Sequence, residues 1–153
     1  MTPEELFKRW FTDPIESLRK LDRGDGAFVA LMTALPLYER AIVAAIKLRG
    51  DVPSDPVIRA EMDADLGIAP AVGAKFHAIF RNGFMHQAMG LDGPTKWRIS
   101  ADYTHSPAIV TEAGVDYVCI DPWKFAEFVV GKFQANPALI VASDSFPFAA
   151  ITP

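Results

Sequence analysis

Cysteine occurs once in this chain of 153 residues, so no disulfide can close within it and no cysteine-built metal cage can form. That one thiol, Cys119, sits in the apolar run Val118-Cys119-Ile120 and reads as a small buried hydrophobe. Histidine is nearly as scarce: His77, His86 and His105 stand apart with no H-E-x-x-H among them, which leaves zinc without a ligand set. No Walker loop, G-x-G-x-x-G or G-x-S-x-G is present, so the signatures of P-loop, dinucleotide-binding and hydrolase-elbow proteins are missing. A basic surplus is missing too. Fifteen Lys and Arg face nineteen Asp and Glu, and a net charge of −4 excludes a broad electrostatic grip on nucleic acid while leaving room for a narrow local site. No uncharged run reaches the roughly 20 residues that a membrane span needs, and Met1-Thr2-Pro3-Glu4-Glu5 lacks the basic and apolar regions of a signal peptide. The expectation is a cytoplasmic protein with no cofactor, no metal and no membrane contact.

What the chain does have is core. Half its residues are hydrophobic and 11% are aromatic, and a single domain of this length buries about two thirds of its unfolded surface without staples. Thr2-Pro3-Glu4-Glu5 has the hydroxyl, proline and glutamate of a capping box, and Asp13-Pro14-Ile15-Glu16 repeats the device. Two short helices with a break near Thr12 follow from that, closed by Asp22-Arg23-Gly24-Asp25-Gly26. Residues 27–48 carry the longest helical pattern, with Leu31, Leu35, Tyr38, Ile42, Ala45 and Ile46 at three- and four-residue spacing. Its opposite side is apolar as well, so this helix is central; Pro36 should bend it, and Glu39, Arg40 and Lys47 read as a solvated stripe. Asp55-Pro56 reads as the cap and N1 proline of a helix from about Pro56 to Leu66, and the acids Asp55, Glu61, Asp63 and Asp65 read as a solvated face. Another helix covers about residues 71–89.

Beyond Gly90-Leu91-Asp92-Gly93-Pro94 the pattern changes. Residues 96–100, 108–111 and 115–120 are β-branched and aromatic with turn residues Glu112-Ala113-Gly114 between the last two, which predicts a small antiparallel sheet. Asp121-Pro122-Trp123 caps a last helix to about Gln134, and the segment 138–142 could add a strand before an irregular tail. The fold expected is mainly α: one domain over residues 1–153, a bundle of four to five helices with a small antiparallel β-sheet inserted before the last helix.

Chemistry concentrates in the helix at 71–89. Phe76, Phe80 and Phe84 recur every four residues as an aromatic ridge that needs a core, while Asn82 and His86, also four apart, share a face. Arg81 lies roughly 140° around the axis from His86 at 100° per residue, within the sweep of a long side chain. Arg81-Asn82-Gly83-Phe84-Met85-His86 resembles the R-x4–6-H motif of the HEPN superfamily, helical bundles that include metal-independent ribonucleases, toxins of toxin–antitoxin pairs and nucleotide-binding accessory domains. The polar residue after the arginine is typical of that motif; a sheet before the last helix is a departure from the plain bundle. The resemblance implies a homodimer with the 81–86 segments facing each other, RNA or a nucleotide as partner, and catalytic roles for Arg81, His86 and Asn82.

Such a site would be chemically coherent. Metal-independent RNA cleavage needs a base for the 2′-hydroxyl, an acid for the leaving 5′-oxygen and a cation for the charge that builds on phosphorus. His86 suits either proton role near neutral pH, and Arg81 offers a permanently charged fork to phosphate oxygens. The alternative assigns the same residues to architecture: Arg81, Asn82 and His86 in a non-enzymatic dimeric helical module, as a hydrogen-bond network with Arg81 paired to an acid such as Glu39, or as a small-anion site. His77, one turn before Arg81, reads as a satisfied or exposed helix residue, and His105 as a surface-loop residue.

Overall fold

The computed structural model describes residues 1–84 and 93–141, with the side chain of Phe84 left aside. His86 and the tail at 142–153 lie outside the described residues. The described chain is mainly α-helical with one small sheet before the helix Pro122–Ala135, as the pattern of the sequence predicts.

The first turn is built as its residues dictate. Thr2 Oγ1 accepts from the Glu5 backbone while Glu5 returns a bond to the Thr2 backbone, so both orphan donors at the start of α1 (Pro3–Phe7) are satisfied. No break follows at Thr12. The chain passes instead through a π-helical stretch, Lys8–Thr12, into α2 (Asp13–Leu18), because Pro14 needs no backbone donor at the start of α2 and Thr12 keeps helical dihedrals (φ −64°, ψ −53°). Widening the winding there turns Phe11 onto Phe7, their rings 5.1 Å apart, and Phe7 in turn packs on Phe133 at 4.5 Å.

Helix α3 (Ala27–Leu48) is the centre of the molecule. Its length and composition would let it cross a membrane, with a mean hydropathy of 1.6 in its most apolar window, but 56% of that window is buried inside the fold. Ala30, Leu31, Ala34, Leu35, Tyr38, Ala41 and Ile42 are all buried, and the helix runs through Pro36 without ending. It packs most extensively on α6 (Pro122–Ala135), where Tyr38 meets Phe125 edge-on at 5.4 Å. Asp121 caps α6 by accepting from the backbone of Trp123 and Lys124.

Helix α4 (Asp55–Leu66) starts one residue earlier than the Asp55-Pro56 reading places it: Ser54 is the extended cap and Asp55 is the first helical residue, which frees its carboxylate for partners elsewhere. Gly67, at φ +65°, ends α4 in the left-handed conformation that glycine adopts without penalty. Helix α5 (Pro70–Phe76) follows and opens into a second π-helical stretch, His77–Phe84. Phe76 and Phe80 are fully buried with rings 5.6 Å apart, each contributing roughly 1.5–3 kcal/mol by leaving water.

The sheet is mixed, which corrects the antiparallel expectation. Strand β3 (Val115–Ile120) is central, paired antiparallel with β2 (Ala108–Glu112) and parallel with β1 (Lys96–Ile99). A two-residue turn, Ala113-Gly114, ties β2 to β3 as a hairpin, so β1 has only the far edge of β3 left to pair with. The connection between β1 and β2 crosses to reach it and is pinned on the way. Lys124 donates to the Ala101 and Tyr103 carbonyls, Asp121 N–H to the Thr104 carbonyl, and His105 stacks on Phe128 at 4.4 Å. His105 is therefore half-buried structure rather than free surface. Cys119 is buried, as expected. Residues 138–141 form the short helix α7 (Ala138–Val141) rather than a strand, with Leu139 and Ile140 buried.

Candidate functional site

Between α4 and the α5–π segment lies a ladder of charged side chains. Asp55, Arg59 and Asp63 recur every four residues on α4 and so share one face; His77 and Arg81 are likewise four apart on the segment that packs against it. The chains run in opposite senses, so that Asp63 meets His77 at one end and Asp55 meets Arg81 at the other. Glu39 reaches in from α3 behind Arg81.

Arg81 is saturated. Its Nε donates to Glu39 Oε2 at 2.9 Å and its Nη2 to Oε1 at 2.8 Å, a bidentate fork; Nη1 donates to Asp55 Oδ1 at 2.8 Å. The guanidinium is 13% exposed, Glu39 22% and Asp55 54%. The Glu39 hydrogen bond is the largest of the influences that hold the arginine above its ordinary pKa, and the Arg81 hydrogen bond holds the Asp55 carboxyl below the usual carboxylate range. Glu39 thus leaves the solvated stripe assigned to it and forms the acid partner of Arg81 that the structural alternative requires.

The four acids of α4 part in the same way. Asp55 also takes Arg59 (Nε to Oδ2, 3.0 Å), Glu61 pairs with Arg49, Asp63 with His77, and Asp65 accepts from the buried Tyr38 hydroxyl at 2.8 Å while pairing with Lys132. Each carboxylate has its own partner on another element or turn. Among the described residues no group of three or more His, Cys, Asp and Glu is placed to hold a metal ion.

His77 is the member of the ladder that sequence spacing undervalued. Its side chain is 2% exposed, Nε2 lies 3.0 Å from Asp63 Oδ1, and the buried Nδ1 has no hydrogen-bond partner among the described residues. Burial dominates over the neighbouring Asp63 carboxylate and pulls the imidazole below its usual pKa. The neutral tautomer that fits carries its proton on Nε2, donated to Asp63. Gly73 makes this contact possible: a Cβ there would lie 2.1 Å from Asp63 Oδ1. The spacing that could have exposed the pair is Asp63 on the Arg81-facing stripe of α4.

Asn82 is exposed and does not join the ladder, and His86 lies outside the described residues. The face shared by Asn82 and His86 was deduced from 3.6-residue winding, which the π-helical backbone over His77–Phe84 does not follow. Of the three residues singled out by the motif, the described structure therefore places Arg81 in a network and Asn82 at the surface.

The electrostatics follow from the inventory. Three carboxylates (Glu39, Asp55, Asp63) face two guanidiniums (Arg59, Arg81) around a neutral imidazole, so the ladder carries a surplus negative charge. Such a surface holds helices together; it does not attract phosphate. Comparison with protein-family models, with curated proteins and with solved structures finds no match to this chain.

Proposed function

We propose that this chain is a non-enzymatic, cytoplasmic helical module that assembles as a dimer through the segment 81–86, and that Arg81 serves its architecture. One observation carries this reading: every nitrogen of the Arg81 guanidinium already donates to a carboxylate of Glu39 or Asp55. A phosphate that took over the guanidinium would displace the partly buried Glu39 from its bidentate fork, at a cost of about 1.5–3 kcal/mol for each charged hydrogen bond lost. A single phosphate contact does not recover that. Asn82, exposed beside the network, then belongs to the contact surface rather than to a reacting centre.

The second reading, a HEPN-like metal-independent ribonuclease using Arg81, Asn82 and His86 across a dimer, draws support from the π-helical winding of His77–Phe84, since such distortions recur at functional sites. The two readings part on cleavage of a mixed RNA pool in EDTA by the wild type and by folded His86→Ala. The module reading expects intact RNA in both lanes. Cleavage that leaves 2′,3′-cyclic phosphate ends and disappears in the mutant would overturn it. Sedimentation of wild type against Asn82→Arg tests the assembly: a dimer weakened by the added charge is expected, and a monomer at every concentration would remove that part of the proposal.

A further inference from the structure

A shallow groove of about 250 Å³ lies on the outer side of α3, lined by Phe11, Thr33, Pro36, Leu37 and Arg40. Among the described residues its walls are mostly apolar and its only charge is the arginine. Phe11 is brought there by the π-helical turn Lys8–Thr12, and Pro36 faces the groove with a ring and no backbone donor. Thr33 has already given its hydroxyl proton to the Val29 carbonyl. Glu39, one residue and about 100° round the helix from Arg40, is committed to Arg81.

Arg40 is the anomaly. It is half-buried, yet among the described residues it has neither a hydrogen bond nor an ion pair. The half-buried Arg59, Arg81 and Arg98 each hold a carboxylate. A guanidinium placed beside apolar walls and paired with no acid among the described residues is matched by a ligand that brings both the acid and the apolar body.

We propose that this groove binds a small aliphatic carboxylate, its chain against Phe11, Pro36 and Leu37 and its head group on Arg40. The volume is below the range of about 300–1,000 Å³ of drug-sized pockets, which favours a short chain over a long acyl tail. This site is separate from the Arg81 ladder, so it stands or falls independently of the module reading.

Calorimetric titration with octanoate, octanol and octylammonium, one chain with three head groups, tests it. Octanoate should bind at least about tenfold more tightly than octanol, and octylammonium most weakly of the three, as expected for a charge-assisted head-group contact. Arg40→Gln, which breaks no native ion pair, should abolish the preference for octanoate, and Arg40→Lys should keep part of it. Equal binding of octanoate and octanol, an undiminished octanoate preference in Arg40→Gln, or no binding of octanoate would each overturn the proposal.

Discussion

Replacing Arg81 by methionine removes the guanidinium while keeping most of the buried stem, and so separates charge from packing. Glu39, 22% exposed, would lose both of its hydrogen bonds, and Asp55, 54% exposed, would lose one. A hydrogen bond to a charged group contributes about 1.5–3 kcal/mol when partly buried, whereas an exposed pair such as Asp55–Arg81 is worth about 0.2–1 kcal/mol. The sum is dominated by Glu39, so Arg81→Met should cost about 3 kcal/mol. At about 2–4 °C per kcal/mol for a domain of this size, the melting temperature should fall by roughly 6–12 °C. The decisive assay is a double-mutant cycle in urea. Glu39→Gln alone leaves Arg81 its Asp55 partner, and the double mutant should be less destabilised than the sum of the singles by about 2 kcal/mol. A coupling below about 0.5 kcal/mol, or an Arg81→Met protein as stable as wild type, would refute the architectural role.

Four further outcomes follow from the same contacts. His77 has a folded pKa below its unfolded value of about 6.5, so the native state binds fewer protons; its contribution is intact above that pH and lost as pH falls from there toward the folded pKa, and His77→Gln should flatten that slope of stability against pH. Gly73→Ala should lower stability by about 1–3 kcal/mol despite alanine's better helix propensity, because the new Cβ displaces the Asp63 carboxylate from His77; the loss should shrink in the Asp63→Ala background. Gly26→Ala should be worse, since its Cβ would meet the Leu18 backbone carbonyl at 2.3 Å and backbone cannot step aside. Ala113, at φ +49° before Gly114 at +75°, occupies a left-handed turn position that asparagine tolerates better, so Ala113→Asn should raise stability by about 0.5–1 kcal/mol, read as a higher urea midpoint.

Helices were legible in the sequence where one local device decides them. The Thr2–Glu5 capping box, the Asp121 cap and the apolar period of α3 each act within a few residues, and each appears as its residues imply. Strand pairing was not legible in the same way. Alternation marks β1, β2 and β3 as strands but says nothing of which edge β1 takes; that was settled by the local Ala113-Gly114 hairpin together with a connection held by long-range contacts to Lys124, Asp121 and Phe128. The π-helical turns were invisible too, because a 3.6-residue period fits them nearly as well over a single turn.

For the candidate site the limit lies in charge. A carboxylate on a helix face reads as solvated by default, and counting acids on α4 cannot tell four solvated residues from four residues with four different partners. The distinction needs the neighbouring helix: Arg81 and His77 repeat at the spacing of Asp55, Arg59 and Asp63, and two matched stripes of opposite sign on consecutive helices are what a packed ladder requires. The same reasoning inverts the meaning of the motif arginine. A guanidinium that is to receive a ligand's anion is kept short of partners, as Arg40 is among the described residues, while each nitrogen of Arg81 already donates to a carboxylate. In this chain an arginine's partners, more than its place in a motif, distinguish a binding group from a brace.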